Sequence, residues 1–365
     1  VTERFLPRIV MIDAPHGPYV KETSPVLDAT YTYWPFLLGP DTGCDQPVEF
    51  KYFFGSEKPG LSLTDLPEAD AYFIIMQHNN SSRIWKHLRK QFPNAKVCAF
   101  HGLHHYEAIE QRGTFYPEEL AFCEGADAIL CARRSDVAMW RTIFPEKKIF
   151  WLPVPFPIDM TSNLSASEYN GTLRVGFLLF SSCQASFLTA VAIHSRLGNE
   201  AEFLFLNVPK TYMRGKETDS GEAKYKILSY SLPDSWTSIL PFRHTCVSRW
   251  LPYRVFLEQL SHCHMMVFAE NQGHQGRLLM DCAALGIPCV CSDMTDMSDL
   301  LWPAFRCGPI QILGRAVEVA ERIVREDNTI REAIKKSKTS LDGNFGPKPS
   351  RDRMLCILRD LGVSP

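Results

Sequence analysis

The sequence has no run of about 18 apolar residues, so no segment is expected to span a bilayer. It has no excess of either charge. Its 39 Lys and Arg stand against 41 Asp and Glu, which argues against a broad nucleic-acid footprint but leaves room for one small basic pocket. It has no short-period repeat and no low-complexity tract. The first residues, VTERFLPRIV, carry two arginines and no apolar core of a secretory signal. The twelve cysteines sit singly in apolar strings such as KVCAF, AILCARR and IPCVCSD, the usage of buried free thiols. These features predict a reducing, cytoplasmic setting, in which the sequons at Asn80, Asn163 and Asn170 go unused. Neither HGLHH (101–105) nor SHCH (261–264) has an accepted zinc-ligand spacing, and Asp293, Asp296 and Asp299 read as turn and helix caps, so no metal is expected. The turn APHGPYV after the first apolar run lacks the Gly-x-Gly-x-x-Gly of a dehydrogenase.

What is present is 45% hydrophobic residues in 365, enough for packed cores and long enough for two domains. RIVMID, AYFIIM, KVCAF and DAILCA read as strands, separated by the helical patterns RIWKHLRKQF and PEELAFCEG. A second series starts near residue 173. Its strands are TLRVGFLLF, AEFLFLNV, HMMVFAE and IPCVCSD, and its helices are QASFLTAVAIHSRLG with a stop at Gly198, PYRVFLEQLSHC and GRLLMDCAALG. RAVEVAERIVREDNTIREAIKKSKTSL reads as long amphipathic helix with an interruption at Asn328, and RDRMLCILRDLG as one more helix. Strands alternating with helices predict two doubly wound parallel sheets, with ligands held at the strand C-termini in a cleft between them. The proline-rich WLPVPFPIDM and the polar residues after it mark the boundary. The expected divisions are residues 1–155, a linker over 156–172, a second domain over 173–340, and a tail over 341–365 that packs back on the first domain.

NQGHQGRLLMDCAALGIP (271–288) carries the sharpest chemistry. Glycines let a loop approach a ligand closely, and a helix N-terminus offers N–H groups to an anion. Arg277 opposes the helix dipole there unless an anion is bound, and Asp281 lies one turn on, on the same face. Two readings stand. Arg277 and the helix N-terminus hold a diphosphate while Asp281 accepts from ribose hydroxyls, or the two residues form an ion pair on a solvated face.

This stretch resembles the donor-binding segment of retaining GT-B glycosyltransferases of the family-4 type, with Gly276, Ala284, Gly286 and Pro288 at that family's landmarks. The resemblance extends to ADAILCARRSDVAMWRTIFPEKKIFWLPVPFPID at the end of the first domain, to TLRVGFLLF, and to VCAFHGLHH. It implies a GT-B fold of two Rossmann-like domains. It also implies transfer of a hexose from a UDP- or GDP-type nucleotide sugar to an unknown carbohydrate, lipid or small-molecule acceptor, with retention and without a metal or cofactor. The family's ribose-holding Glu falls on Asp281, and its other Glu falls on Gly273, with Glu270 three residues earlier. His274, Gly276, Arg277, Leu278 and Thr295 take donor-contacting positions. His101 and His104 take positions by the reacting sugar, and His16 and Gly17 lie in the loop near donor phosphate and acceptor. The family's Arg and Lys phosphate clamp is absent from FLLFSSCQASFLTA, so either Arg277, Lys210 or Arg214 supplies that charge or donor binding is weak or lost. TYTYWPFLL (30–38) serves as an acceptor platform or as core. The basic SRIWKHLRK is a solvated face or a peripheral membrane contact. The alternative function is a GT-B binding or scaffold protein that has lost the phosphate clamp.

Overall fold

A computed structural model of the chain describes residues 6–13, 49–54, 66–76, 80–101, 117–179, 183–208, 242–248, 251, 253–269 and 276–363. The chain divides into two compact units, residues 1–157 with 343–365, and residues 158–342.

The first unit holds six strands: β1 (Arg8–Asp13), β2 (Glu49–Phe54), β3 (Ala71–Ile75), β4 (Lys96–His101), β5 (Ala128–Cys131) and β6 (Ile149–Trp151). They pair in the order β2-β1-β3-β4-β5-β6, every pair parallel. Every side chain of β3 is buried, as a parallel sheet covered on both faces requires. Alternation along β1 divides the core in two. Ile9 and Met11 join Phe73, Phe100 and Leu130 on one face, covered by Met354 and Leu358 of the C-terminal helix (Pro347–Asp360) and by its C-cap Leu361. Val10 and Ile12 join Tyr72, Ile74 and Val97 on the other. There they meet Ile84 and Leu88 of α1 (Asn80–Gln91), Phe122 of α2 (Pro117–Gly125) and Trp140 of α3 (Arg134–Ile143). Within the basic pattern of α1, Arg89 bonds Asp127 at 2.7 Å and the Gly125 carbonyl at 3.1 Å, so this cation is engaged inside its own unit.

The second unit holds β7 (Leu173–Leu178), β8 (Ala201–Val208), β9 (His244–Ser248), β10 (Met265–Phe268), β11 (Cys289–Ser292) and β12 (Arg306–Cys307). Their order is β12-β11-β10-β7-β8-β9, again all parallel. This is the doubly wound order, with the winding reversing between β7 and β10, the place where such sheets take ligands at their carboxyl ends. The described helices are α4 (Cys183–Leu197), α5 (Tyr253–Ser261), α6 (Arg277–Leu285), α7 (Ser298–Leu301), α8 (Ile312–Val324) and α9 (Asn328–Phe345). Gly198, with φ +56°, follows the last residue of α4.

β6 is reached in the sequence only through the family resemblance, and three further strands are absent from the sequence reading: β2, β9 and β12. All three lie at sheet edges, where a strand needs less apolar patterning, and β12 has only two residues. The long helix of the sequence reading is two helices. The chain breaks over Arg325–Asp327, where Glu326 takes φ +54° and Asp327 Oδ1 accepts the Thr329 N–H at 2.8 Å, ahead of the expected interruption at Asn328. His264 of the SHCH stretch is engaged structurally. Its Nδ1 accepts the Arg174 N–H at 2.8 Å and its Nε2 faces the Glu168 carbonyl at 3.2 Å. Of the ten described cysteines eight are buried, and burial pushes the Cys246 and Cys263 thiols up to about 12. No helix among the described residues is long and apolar enough to cross a membrane.

Candidate functional site

In the second unit, the site is built where β10 gives way to α6. Gly276 is the N-cap of α6, with φ +89°, a conformation that favours glycine. A Cβ there would also lie 2.6 Å from the Asp296 carbonyl oxygen and 3.2 Å from Thr295 Cγ2. The glycine therefore allows the first turn of α6 to press against the 295–296 backbone. The helix is anchored from behind by Trp302, whose Nε1 donates to the Leu279 carbonyl at 3.0 Å. At its other end Gly286, with φ +79°, closes the helix, and the Gly286 and Ile287 N–H groups both donate to the Cys282 carbonyl. Leu278, Leu279, Cys282, Ala283 and Leu285 are buried, so the apolar side of the helix is core.

Arg277 is the first helical residue, and the structure gives it partners within the chain. Its Nε donates to Asp281 Oδ1 at 3.2 Å, and its Nη2 donates to the Tyr253 hydroxyl at 2.6 Å. The Tyr253 hydroxyl, from the first turn of α5, donates in turn to the same Oδ1 at 2.5 Å. The guanidinium carbon lies 4.8 Å from the centroid of the Tyr253 ring, within cation–π range. Asp281 is 1% exposed. Burial raises the Asp281 carboxyl above the usual carboxylate range against the pull of Arg277 and Tyr253. Burial opposes the Arg277 charge, but Tyr253 and Asp281 more than offset it, so the guanidinium stays protonated. Both shifts favour the protonated form, a charged Arg277 and a neutral Asp281, but the Arg277 shift itself draws on the Asp281 charge. A guanidinium cannot shed its proton at neutral pH, so a charged Arg277 faces an ionised Asp281.

Thr295, at the mouth of this turn, is 2% exposed, and its Oγ1 is buried with no hydrogen-bond partner among the described residues. A buried hydroxyl left so is costly and points to a partner that the described residues do not supply. Gly276, Arg277 and Thr295 are therefore brought together. Glu270, Gly273 and His274 lie outside the described residues, as do Lys210 and Arg214.

In the first unit, His101 ends β4 and is 1% exposed. Its Nδ1 lies 2.8 Å from Asp136 Oδ2, which also accepts from Arg133 Nε at 2.9 Å. An ionised carboxylate only accepts, so the His101 proton sits on Nδ1. Asp136 stands in the first turn of α3, where an acid complements the helix dipole. Burial pushes its carboxyl up, but the bonds and charges of His101 and Arg133 outweigh burial and hold it below the usual range. The Trp140 ring meets His101 edge-on at 5.4 Å. Arg133 and Asp136 are absent from the sequence reading; the only local signal is RRSD directly after a strand. His16, Gly17, His104 and the aromatic stretch 30–38 lie outside the described residues.

No protein-family model and no curated protein matches the sequence. Solved structures match the fold. The N-terminal domain of a Candida albicans trehalose-6-phosphate phosphatase aligns with a TM-score of 0.67 at 11% identity, covering 98% of this chain and 97% of that one. A sucrose-phosphate synthase from Thermosynechococcus elongatus aligns at 0.61 and 13% identity, covering 98% and 99%. Anabaena HepE, solved in complex with UDP and glucose, aligns at 0.60 and 11% identity, covering 97% and 100%. The two parallel-sheet units of this chain have the GT-B fold, which these neighbours share.

Proposed function

We propose that the chain is a glycosyltransferase that moves a hexose from a nucleotide diphosphate sugar to an acceptor hydroxyl, with retention and without a metal. One observation carries the reading. At the point where the second sheet reverses its winding, a glycine-capped helix N-terminus bearing Arg277 is pressed against Thr295, whose buried hydroxyl has no partner among the described residues. A diphosphate would accept from the N–H groups of that turn, from Arg277 and from Thr295 Oγ1. Donors fixed in this way stabilise the charge that develops on the diphosphate as it leaves, which is the work otherwise done by a metal. The acceptor hydroxyl then enters on the face from which the diphosphate departs. To His101, held in one tautomer by Asp136, we assign stabilisation of the positive charge on the sugar, with His104 beside it in sequence. His16 and Gly17 complete the proposed phosphate and acceptor loop. A UDP- or GDP-type donor, a carbohydrate, lipid or small-molecule acceptor and a cytoplasmic setting belong to the same proposal. The HepE neighbour bound to UDP and glucose supports the donor class.

A second reading is favoured by the closed state of Asp281, whose Oδ1 is held by Tyr253 and Arg277, and by the missing phosphate clamp after β7. It makes the chain a GT-B binding protein without transferase activity. Thermal shift with UDP-, GDP- and ADP-sugars tests the nucleotide-sugar reading. At a ligand concentration about 100 times Kd, mass action stabilises the folded chain by about 2.7 kcal/mol, a shift of a few degrees. Thr295→Val keeps shape and removes the hydroxyl. It should leave the unliganded chain as stable or more so, and weaken the response by roughly tenfold in Kd. No response to any nucleotide sugar contradicts the proposal. A response without sugar transfer to any acceptor favours the second reading.

A further inference from the structure

We infer that Tyr253 occupies, from within the chain, the position at Asp281 that a ribose hydroxyl would take, so that this site binds its nucleotide without reading the ribose hydroxyls. The inference rests on the nucleotide-sugar reading above and sharpens the donor specificity of that same site.

A ribose hydroxyl offers one O–H to donate and lone pairs to accept. Between a carboxylate and a guanidinium it would donate to the first and accept from the second. The Tyr253 hydroxyl makes that same pair of bonds, to Asp281 Oδ1 at 2.5 Å and from Arg277 Nη2 at 2.6 Å. The phenol ring lies against the guanidinium at 4.8 Å, and the Asp281 side chain is 2% exposed. Both bonds are charge-assisted and short. A ligand hydroxyl that displaced Tyr253 would form the two bonds it broke and leave the phenol without them, so the exchange yields no gain in affinity. A ligand hydroxyl that left Tyr253 in place would meet an Oδ1 already bonded twice, on a side chain only 2% exposed. On either path the ribose hydroxyls add nothing, and recognition falls to the diphosphate and the base. Tyr253 belongs to α5, distant in sequence from α6, and the contact depends on the packing of these two helices.

The test is calorimetric titration of the full chain with UDP and GDP, each beside its 2′,3′-dideoxy form. For the nucleotide that binds, the wild-type chain should hold the two forms within about threefold of each other. A site built to bond a hydroxyl rejects the analogue lacking it far more strongly. Tyr253→Phe removes only the oxygen, and Tyr253→Ala also opens the space of the ring. At least one of the two should prefer the ribose form by roughly tenfold, the worth of one charge-assisted hydrogen bond. Melting of each variant shows whether it is folded. A wild-type preference of tenfold or more for the ribose form overturns the inference and leaves the nucleotide-sugar reading standing. A ratio near one in both folded variants also overturns it, since Tyr253 then guards nothing. Absence of binding to every nucleotide overturns the inference and the reading beneath it together.

Discussion

At the scale of single residues, each candidate site holds one buried carboxylate, and the two are held in opposite ways. Asp136 receives His101 and Arg133 on one oxygen and titrates below the usual range, so its charge stabilises the fold. An acid with a depressed folded pKa contributes stability above its unfolded value, about 3.9, and loses it as pH falls through the depressed one. Asp136→Asn should therefore cost roughly 3 kcal/mol at pH 7, where it takes the Asp136 charge away from the buried Arg133 and His101. The cost should shrink well below pH 4, where the wild type loses the same charge. Urea unfolding of both proteins at pH 7 and pH 3 measures it, and a gap independent of pH contradicts the assignment. The spacing of Arg277 and Asp281 was legible as an i,i+4 pair, with nucleotide binding and ion pairing both open. The structure shows the pair formed, but buried and completed by a tyrosine. Tyr253 and Asp136 were not legible. Each meets its partner across tens of residues of sequence, and an acid in a first helical turn is explained by the dipole alone.

At the scale of elements, the start of α6 is fixed by its N-cap more than by its helical residues. Gly276 combines a left-handed φ with a carbonyl oxygen 2.6 Å from where a Cβ would stand. Gly198 has φ +56° and no atom of the described residues within 4 Å of that position. Gly276→Ala should thus destabilise by roughly 3 kcal/mol, from backbone strain plus the displacement of the 295–296 backbone, and Gly198→Ala by roughly 1 kcal/mol from strain alone. Equilibrium unfolding of the two variants decides this, and equal costs would mean that the 295–296 backbone does not hold the α6 turn. Helices and central strands were readable because their apolar periodicity is enforced by two covered faces. Edge strands carry no such constraint, and β2, β9 and β12 went unread for that reason. The turn at Glu326 was displaced from the expected break because Asp327, rather than Asn328, caps the following helix.

At the scale of the whole chain, each unit has its own six-stranded parallel sheet, and the chain returns at residue 343 to complete the first unit. Met354 and Leu358 of the C-terminal helix, with its C-cap Leu361, cover one face of β1, β3, β4 and β5. The alternation of strand and helix made two doubly wound sheets readable, the resemblance carried by 271–288 implied the GT-B fold, and the solved neighbours share that fold at 11 to 13% identity. Function was less legible than fold, because donor chemistry lies in a few side chains whose partners come from other elements. The central claim is that a nucleotide diphosphate docks on the first turn of α6. A crystal structure of the chain soaked with the nucleotide sugar that gives the largest thermal shift tests it most directly. The account predicts diphosphate oxygens within hydrogen-bond distance of the Arg277 N–H, the Arg277 guanidinium and Thr295 Oγ1. A nucleotide lodged elsewhere, or protein atoms filling the space before that turn, would contradict it.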